Sequence, residues 1–322
     1  MRHLTVRQQQ LLYLLADGEF HSGEQIGQQL AISRAAISQQ IKQLKPLGLD
    51  IYSVTGRGYR LAQPLELLDA TQLAACGVDN VHCIAVIDST NQYMMSRLGS
   101  WQQGECVLAE CQTAGRGRRG RAWISPFGGQ VIMSLYWRLE QGMAAAMGLS
   151  LVVGIALAEA LQQHGYEEIG LKWPNDLYGR GQKLAGILVE MAATAGGACQ
   201  LVIGVGLNLA MPIQIADQIG QPWTSLTALG DRPVQRNRLT AELILRLRAC
   251  LQQFEASGLA PFVERWNRLD IYRDQPVRLL LGEREITGIA RGIDAQGALL
   301  LEQEGDVTPY IGGEISLRPM LA

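Results

Sequence analysis

Apolar residues in the first fifty positions recur at the spacing of three short helices. Residues 7–16 place four leucines among polar residues, and Asp17-Gly18 ends this segment. Ser22-Gly23-Glu24-Gln25 has the form of a capping box that begins a second helix, and Ser33 is the predicted N-cap of a third. A helix, a tight turn and a helix are typical of a helix-turn-helix, whose second helix lies in the major groove of DNA.

The stretch after the third helix predicts a β-hairpin wing. Residues 50–61 alternate around Gly56 and Gly58, which places Arg57 at the tip of the hairpin. The third helix carries exposed polar and basic side chains of the types that suit base edges and phosphates. The residues predicted to bind DNA are Ser22, Ser33, Arg34, Ser38, Gln39, Lys42 and Arg57. A three-helix packing module without a DNA role is the alternative.

Apolar runs in the middle of the chain predict a central sheet with helices packed on it. The predicted strands are 84–88, 106–110, 130–137, 182–190 and 201–209, and the predicted helices are 144–164 and 239–256. Beyond residue 270, short apolar strands at 277–281, 285–290 and 298–302 are separated by turns and predict a small β-barrel. We therefore expect an α+β chain with three domains, 1–63, 64–270 and 271–322, with the first boundary at Gln63-Pro64.

Composition is typical of a soluble globular protein, with 48% hydrophobic residues, 18% charged residues and a formal net charge of −2. Residues 1–63 hold seven Lys or Arg and four Asp or Glu, a charge of +3, which is the sign that DNA binding requires. No uninterrupted run of about eighteen apolar residues occurs, so we expect no contact with a membrane. Six scattered cysteines without a Cys-x-x-Cys pair favour reduced thiols and a cytoplasmic location. The four histidines are not at metal-binding spacing, which argues against zinc.

One loop concentrates positive charge in the middle of the chain. Gly115-Arg116-Gly117-Arg118-Arg119-Gly120-Arg121 combines glycines, which bend readily, with arginines, whose planar cations match carboxylates and phosphates. Its glycines also fit the spacing of a dinucleotide site, but that site needs a helix to begin at the third glycine. Pro126, Gly128 and Gly129 disfavour such a helix. We expect a loop that orders around a bound anion, and a plain solvated basic loop is the alternative.

Polar residues at strand ends supply two further candidate groups. Ser89, Thr90 and Asn91 follow a predicted strand and suit the head group of a small polar ligand, whereas an ordinary N-cap needs only one of them. The second group consists of Lys172, Asn175, Asp176 and Lys183. A carboxylate and lysines beside one cleft can hold Mg²⁺ and a phosphate. A purely structural charge cluster explains the same residues, so the pattern alone leaves both interpretations open.

Four motifs together carry a family resemblance. Residues 115–126, 172–176, 183–190 and 204–208 resemble the motifs of the biotin–protein ligases, in the same order along the chain. With the N-terminal helix-turn-helix and the stretch 312–318, the chain is similar to the bifunctional bacterial form, which is also the repressor of the biotin operon. The resemblance implies a class II synthetase-like central sheet and an SH3-like C-terminal domain.

The resemblance also implies the site residues. Biotin would be bound by Ser89, Thr90, Asn91, Gln112, Arg116, Gly117, Arg118 and Lys183. ATP and the adenylate would be bound by Gly115, Arg119, Arg121, Trp123, Lys172, Asn175, Asn208 and Trp223. The implied catalytic residues are Lys183, Arg116, Arg118 and Asp176, and Asp176 is also the candidate ligand of Mg²⁺.

The reaction implied by the resemblance has two steps. Biotin and ATP give biotinyl-5′-adenylate, and a lysine of the biotin carboxyl carrier protein then takes up biotin. A homodimer loaded with biotinyl-AMP would bind the operator DNA of the biotin operon. The alternatives are a ligase whose N-terminal module only supports folding, a non-catalytic metabolite sensor, and a ligase for lipoate or another acyl acid.

Overall fold

The computed structural model describes residues 4–193, 197–212, 218–230, 232–282, 284–311 and 315–319, and the first sixty fold as the predicted winged helix-turn-helix. The elements are α1 (Val6–Leu15), α2 (Gly23–Leu30), α3 (Arg34–Leu44), β1 (Ile51–Val54) and β2 (Gly58–Leu61). The hydroxyls of Thr5, Ser22 and Ser33 each accept a hydrogen bond from a backbone N–H group in the first turn of their helix. These bonds satisfy donors that the start of a helix leaves unpaired.

Seven strands form a mixed sheet at the centre of the molecule, which confirms the predicted fold class. The strands are β3 (Val81–Ile87), β4 (Cys106–Gln112), β5 (Gln130–Leu139), β6 (Ile169–Lys172), β7 (Asp176–Gly179), β8 (Gln182–Ala193) and β9 (Cys199–Asn208). Their spatial order is β3-β4-β5-β9-β8-β7-β6, in which only β3 and β4 run parallel. Neither β6 nor β7 was predicted from the sequence, because each strand has only four residues and polar residues flank the turn at residues 173–175.

Helices pack on the central sheet and enclose the main core. They are α4 (Ala70–Ala75), α5 (Thr90–Met95), α6 (Leu149–Gln163), α7 (Leu226–Leu229), α8 (Arg236–Ser257) and α9 (Ala260–Leu269). By length and composition the segment Met143–Gln163 is apolar enough to cross a membrane. A membrane span here was not predicted from the sequence because polar residues such as Ser150 and Glu159 interrupt the apolar run of the segment. In this fold 67% of its apolar window is buried, because α6 is a core helix of the central domain.

A five-stranded antiparallel sheet completes the chain, in agreement with the predicted SH3-like domain. Its strands are β10 (Pro276–Leu281), β11 (Arg284–Ile293), β12 (Leu299–Gln303), β13 (Asp306–Tyr310) and β14 (Ile315–Pro319), in the order β13-β12-β11-β10-β14. The indole N–H of Trp173 donates to the carbonyl of Gly297 at 3.1 Å, which joins this sheet to the central domain. Residues 312–314 of the C-terminal motif lie outside the described residues.

The winged helix-turn-helix shares a hydrophobic cluster with the central domain. Val86, Cys111 and Phe127 pack into the same cluster as the buried residues of α1, α2 and α3. The backbone N–H of Phe127 also donates to the carbonyl of Leu47 at 3.0 Å. Because Cys111 precedes the arginine loop and Phe127 follows it, the base of that loop rests against the N-terminal domain.

Candidate active site

A cavity between the central sheet and the arginine loop collects most of the predicted site residues. Those that line it are Ser89, Thr90, Asn91, Gln112, Arg116, Gly117, Arg118, Arg119, Arg121, Trp123, Lys172, Asn175, Asp176 and Lys183. Asn208 and Trp223 line an adjoining cavity, which shares Arg121, Trp123 and Lys183 with the first. Gly115 lines neither cavity, and its carbonyl accepts a hydrogen bond from the backbone N–H of Trp123 at 2.9 Å.

One end of the cavity is a buried hydrogen-bond network at the ends of the strands. The backbone N–H of Thr90 donates to Gln112 Oε1 at 2.8 Å, and the hydroxyl of Thr90 reaches the same oxygen at 3.1 Å. Ser134 Oγ lies 2.7 Å from Thr90 Oγ1 and 2.5 Å from Asn91 Oδ1. Ser89 is the N-cap of α5. This end of the cavity therefore presents polar groups whose positions are set before any ligand binds.

Two residues of this end were not predicted from the sequence. Ser134 is fully buried, and a serine within the otherwise apolar run of residues 131–137 in β5 is the signal that would have found it. Glu190 accepts a hydrogen bond from Asn91 Nδ2 at 2.8 Å and forms an ion pair with Arg116 at 3.1 Å. Glu190 thus connects the arginine loop to the polar end of α5.

Hydrogen bonds at its base close the short arginine loop. Arg116 bridges to Ala122, and the Gly117 N–H donates to the carbonyl of Arg121 at 2.7 Å. Arg118 Nη1 donates to Asn175 Oδ1 at 2.9 Å, and burial together with the neighbouring arginines lowers the pKa of Arg118. The loop contains a single 3₁₀ turn, at Arg118–Gly120, and no helix begins at its third glycine, so it lacks the helix of a dinucleotide site.

A carboxylate surrounded by cations forms the floor of the cavity. Lys183 Nζ forms an ion pair with Asp176 Oδ1 at 2.8 Å, and this buried oxygen has no hydrogen-bond partner among the described residues. Lys172 is 5% exposed and donates to the hydroxyl of Tyr178 at 3.0 Å. Burial lowers the pKa of Lys172 to about 8, and the nearby positive charge of Arg318 adds to this effect. An excess of cations at a partly closed site favours a bound anion.

Trp123 forms a wall that both cavities share. Its indole lies against two glycines of adjacent strands, so that a Cβ atom at Gly206 would be 2.5 Å from Trp123 Cε2, and one at Gly186 would be 3.1 Å from Cζ3. Lys183 Nζ lies 5.6 Å from the centre of the Trp123 ring. The glycines in these two strand motifs therefore allow an aromatic ring to approach the sheet closely.

Known proteins are similar to this chain in sequence and in fold. The Biotin/lipoate A/B protein ligase family matches residues 83–208, an HTH domain matches residues 7–60, and the Biotin protein ligase C terminal domain matches residues 274–318. The chain is 53% identical over 309 residues to the bifunctional ligase/repressor BirA of Salmonella typhimurium, with 96% of both chains covered. The corresponding protein of Escherichia coli is 52% identical over the same length. The chain belongs to the biotin–protein ligase family.

Within the biotin–protein ligases, the chain has the architecture of the bifunctional ligase/repressors. A solved biotin protein ligase from Aquifex aeolicus, in complex with biotin and ATP, superposes with a TM-score of 0.66 at 27% identity. The superposition covers 76% of this chain and 100% of that chain. The predicted family, fold class and enzyme class, a ligase with an N-terminal helix-turn-helix, are therefore confirmed.

The residues predicted to bind DNA lie on the third helix, its cap, the cap of α2 and the wing. Ser33, Arg34, Gln39, Lys42 and Arg57 are exposed. Ser22 and Ser38 are half-buried. Arg34 approaches the carboxylate of Glu24 at 3.6 Å, and the guanidinium of Arg57 lies 4.2 Å from the centre of the Phe20 ring. The surface of the N-terminal domain thus presents cations from two elements on which a nucleic acid could dock.

Proposed function

We propose that this ligase makes biotinyl-5′-AMP from biotin and ATP and transfers biotin to a lysine of the biotin carboxyl carrier protein. The single observation that carries the proposal is the cavity itself. It combines a buried polar end, a Lys183–Asp176 pair and an arginine loop around one space. The Aquifex aeolicus ligase of similar fold is in complex with biotin and ATP.

In the first step a carboxylate oxygen of biotin attacks the α-phosphorus of ATP, and the bond to pyrophosphate breaks. Thr90, Asn91 and Gln112 would hold the head group of biotin, because their network is already buried and hydrogen-bonded. Lys183 would neutralise charge that develops between the carboxylate and the α-phosphate, and Arg118 in the arginine loop would close over the same two groups. Positioning two anions against fixed cations is the main contribution to the rate, because no covalent protein nucleophile is needed.

In the second step the amine of the carrier lysine attacks the acyl carbon of the adenylate, and AMP leaves. Ser89, Arg116 and Gly117 are assigned to biotin, and Gly115, Arg119, Arg121, Trp123, Lys172, Asn175, Asn208 and Trp223 are assigned to ATP and the adenylate. The loop would exclude water during the transfer, because an acyl-adenylate hydrolyses when water reaches it.

Asp176 fits the role of a Mg²⁺ ligand. The described part of the chain has no cluster of three or more His, Cys, Asp or Glu that could hold a metal. Mg²⁺ nevertheless binds at nucleotide sites through one or two carboxylates and substrate phosphates. Asp176 Oδ1 is ion-paired with the Lys183 ammonium and has no hydrogen-bond partner among the described residues. The ion would supply neutralisation of phosphate charge, while Lys183 keeps Asp176 oriented toward the cavity.

We also propose that the biotinyl-AMP-bound homodimer represses the biotin operon. The N-terminal domain presents Arg34, Lys42 and Arg57 at its surface, and the relatives from Salmonella typhimurium and Escherichia coli are bifunctional ligase/repressors. A dimer would place two recognition helices on a palindromic operator. The chain divides in this proposal into 1–63, 64–270 and 271–322, and it acts in the cytoplasm.

One incubation tests the ligase proposal. The whole chain is mixed with ATP and Mg²⁺, labelled biotin or labelled lipoate, and an apo carrier domain, and label on the carrier is measured. We expect label from biotin alone. Labelling by lipoate would favour the related acyl acid ligase, and the absence of label with either acid would favour a non-catalytic sensor.

Operator binding tests the repressor proposal. A gel shift with biotin operator DNA is measured with and without biotin plus ATP, together with sedimentation to detect the dimer. We expect the ligands to raise both DNA affinity and the dimer fraction, because binding of adenylate would shift the population of the dimer. Unchanged operator affinity would leave a ligase whose N-terminal module only supports folding.

A further inference from the structure

Gln130 is a buried amide whose three polar hydrogen-bonding partners all lie beside the nucleotide end of the site. The residue is 1% exposed and begins strand β5. Its Oε1 accepts from the indole N–H of Trp123 at 3.1 Å, and its Nε2 donates to the carbonyl of Ile124 at 3.0 Å and to Asn208 Oδ1 at 2.8 Å. Gln130 lines neither cavity, so its side chain acts on the site only through these partners.

These bonds connect three segments that surround the cavities. Trp123 and Ile124 follow the arginine loop, and Asn208 ends strand β9. Asn208 Nδ2 in turn donates to the carbonyl of Thr224 at 2.9 Å, and the Thr224 N–H donates to the carbonyl of Lys183 at 2.9 Å. One buried side chain is therefore hydrogen-bonded, directly or through Asn208, to the loop, to the segment that carries Trp223 and to the backbone of Lys183.

The network also determines how the indole of Trp123 is oriented. Tryptophan has a single N–H donor, and Gln130 Oε1 accepts from it. In that orientation the ring faces Gly186 and Gly206, which leave room for it because they lack Cβ atoms. A fully satisfied buried amide favours one arrangement of its partners, since any other arrangement leaves polar groups unpaired.

We infer that Gln130 is a positioning residue for the adenosine part of the site. Its hydrogen bonds fix the Trp123 indole and the segment around Thr224 relative to each other. Replacement of Gln130 therefore weakens ATP binding more than biotin binding. The inference rests on the proposed ligase reaction and on the assignment of Trp123 and Asn208 to the nucleotide. The biotin end has its own hydrogen-bond network, built on Ser134 and Gln112, which does not include the Gln130 side chain.

The test compares the Gln130→Met, Trp123→Phe and double variants in biotin-dependent exchange of pyrophosphate into ATP. Methionine keeps the length of the side chain and removes all three hydrogen bonds, whereas phenylalanine removes the indole N–H and keeps an aromatic face. We expect Gln130→Met to raise the KM for ATP about tenfold and the KM for biotin less than about twofold. The rise in the KM for ATP in the double variant should be well below the product of the rises in the two single variants, because both changes remove the same hydrogen bond.

A matched control is Gln162→Met, which removes a partly buried amide that donates to the carbonyl of Ile169 at 3.3 Å, away from the cavity. We expect this variant to keep both KM values. If Gln130→Met unfolds, Gln130→Asn retains an amide but is one methylene too short to reach all three partners, and it should raise the KM for ATP to a smaller extent.

Two outcomes would overturn the inference. Equal rises in the two KM values would show general damage to the site, and fully multiplicative effects of Gln130→Met and Trp123→Phe would show that Gln130 does not act through the indole. Failure of the unaltered chain to exchange pyrophosphate would instead count against the proposed ligase function, so the two failures are distinguishable.

Discussion

The two ends of the active-site cavity are built in different ways. At the polar end, Thr90 begins α5, Gln112 ends β4 and Ser134 lies within β5, and both Gln112 and Ser134 hydrogen-bond to Thr90. At the loop end, Arg119 and Arg121 are exposed and make no side-chain hydrogen bond or ion pair within the part of the chain that the structure describes. Selectivity for biotin can therefore reside in a preformed network of hydrogen bonds. The loop arginines, in contrast, would gain strong interactions only when a phosphate binds.

The largest effect should come from Lys183, where the two ends meet. We expect Lys183→Met to slow adenylate formation about 100-fold or more, because a preorganised charge aimed at the reacting phosphate is lost. The measurement is biotin-dependent exchange of pyrophosphate into ATP. Lys42→Met removes an exposed lysine on α3 and serves as the control, with normal exchange expected. Normal exchange by Lys183→Met would contradict the catalytic assignment.

Removal of Ser134 tests whether the polar end is responsible for biotin affinity. In Ser134→Ala, Thr90 and Asn91 lose a fully buried partner, and unpaired buried polar groups are unfavourable. We expect the KM for biotin to rise about tenfold while the KM for ATP changes less than about twofold. Titration calorimetry with biotin alone checks the first expectation. Equal losses for both substrates would mean that the two ends are not independent.

The pH dependence of ATP use tests the buried lysine on the floor of the cavity. Burial lowers the pKa of Lys172 from 10.5 to about 8, so its charge is present below pH 8 and is lost above it. We expect kcat/KM for ATP to fall about tenfold between pH 7 and pH 9, since this parameter reports groups of the free enzyme and the charged fraction of Lys172 falls by about that factor. Lys172→Arg should remove the decline, because arginine stays charged. A decline that persists in this variant would assign it to another group.

The smallest effect is expected at the exposed tip of the loop. Arg119→Ala should lower kcat/KM for ATP less than about threefold at physiological salt, because an exposed charge is screened by ions. Arg118→Ala should be the more damaging change, because Arg118 is half-buried and hydrogen-bonded to Asn175. Kinetics of both variants at low and high salt provide the check. A larger loss in Arg119→Ala would reverse this ranking of the two arginines.

Features that depend on a few neighbouring residues were predictable from the sequence. The caps at Ser22 and Ser33, the hairpin around Gly56 and the N-cap at Ser89 follow from hydrogen bonds that span three or four positions. The strands of the central sheet were predictable from apolar runs bounded by turn residues, although β8 is longer than the predicted 182–190.

Features that depend on strand pairing were not predictable in the same way. Gln130 reaches Asn208 because β5 pairs with β9 and places the two residues opposite each other, and Ser134 reaches Thr90 and Asn91 because α5 packs on β5. Arg318 lines the cavity because the C-terminal sheet docks beside it. No local pattern contains this information, and only the presence of serine and glutamine in an apolar strand indicated a buried polar role.

The contact between the N-terminal domain and the base of the loop has a practical consequence. A protein trimmed of its first sixty-three residues would leave Val86, Cys111 and Phe127 facing water, where they now pack on helices α1 to α3. New apolar surface promotes self-association, and here it would lie at the base of the arginine loop. A shortened ligase without the N-terminal domain should therefore carry polar residues at these three positions.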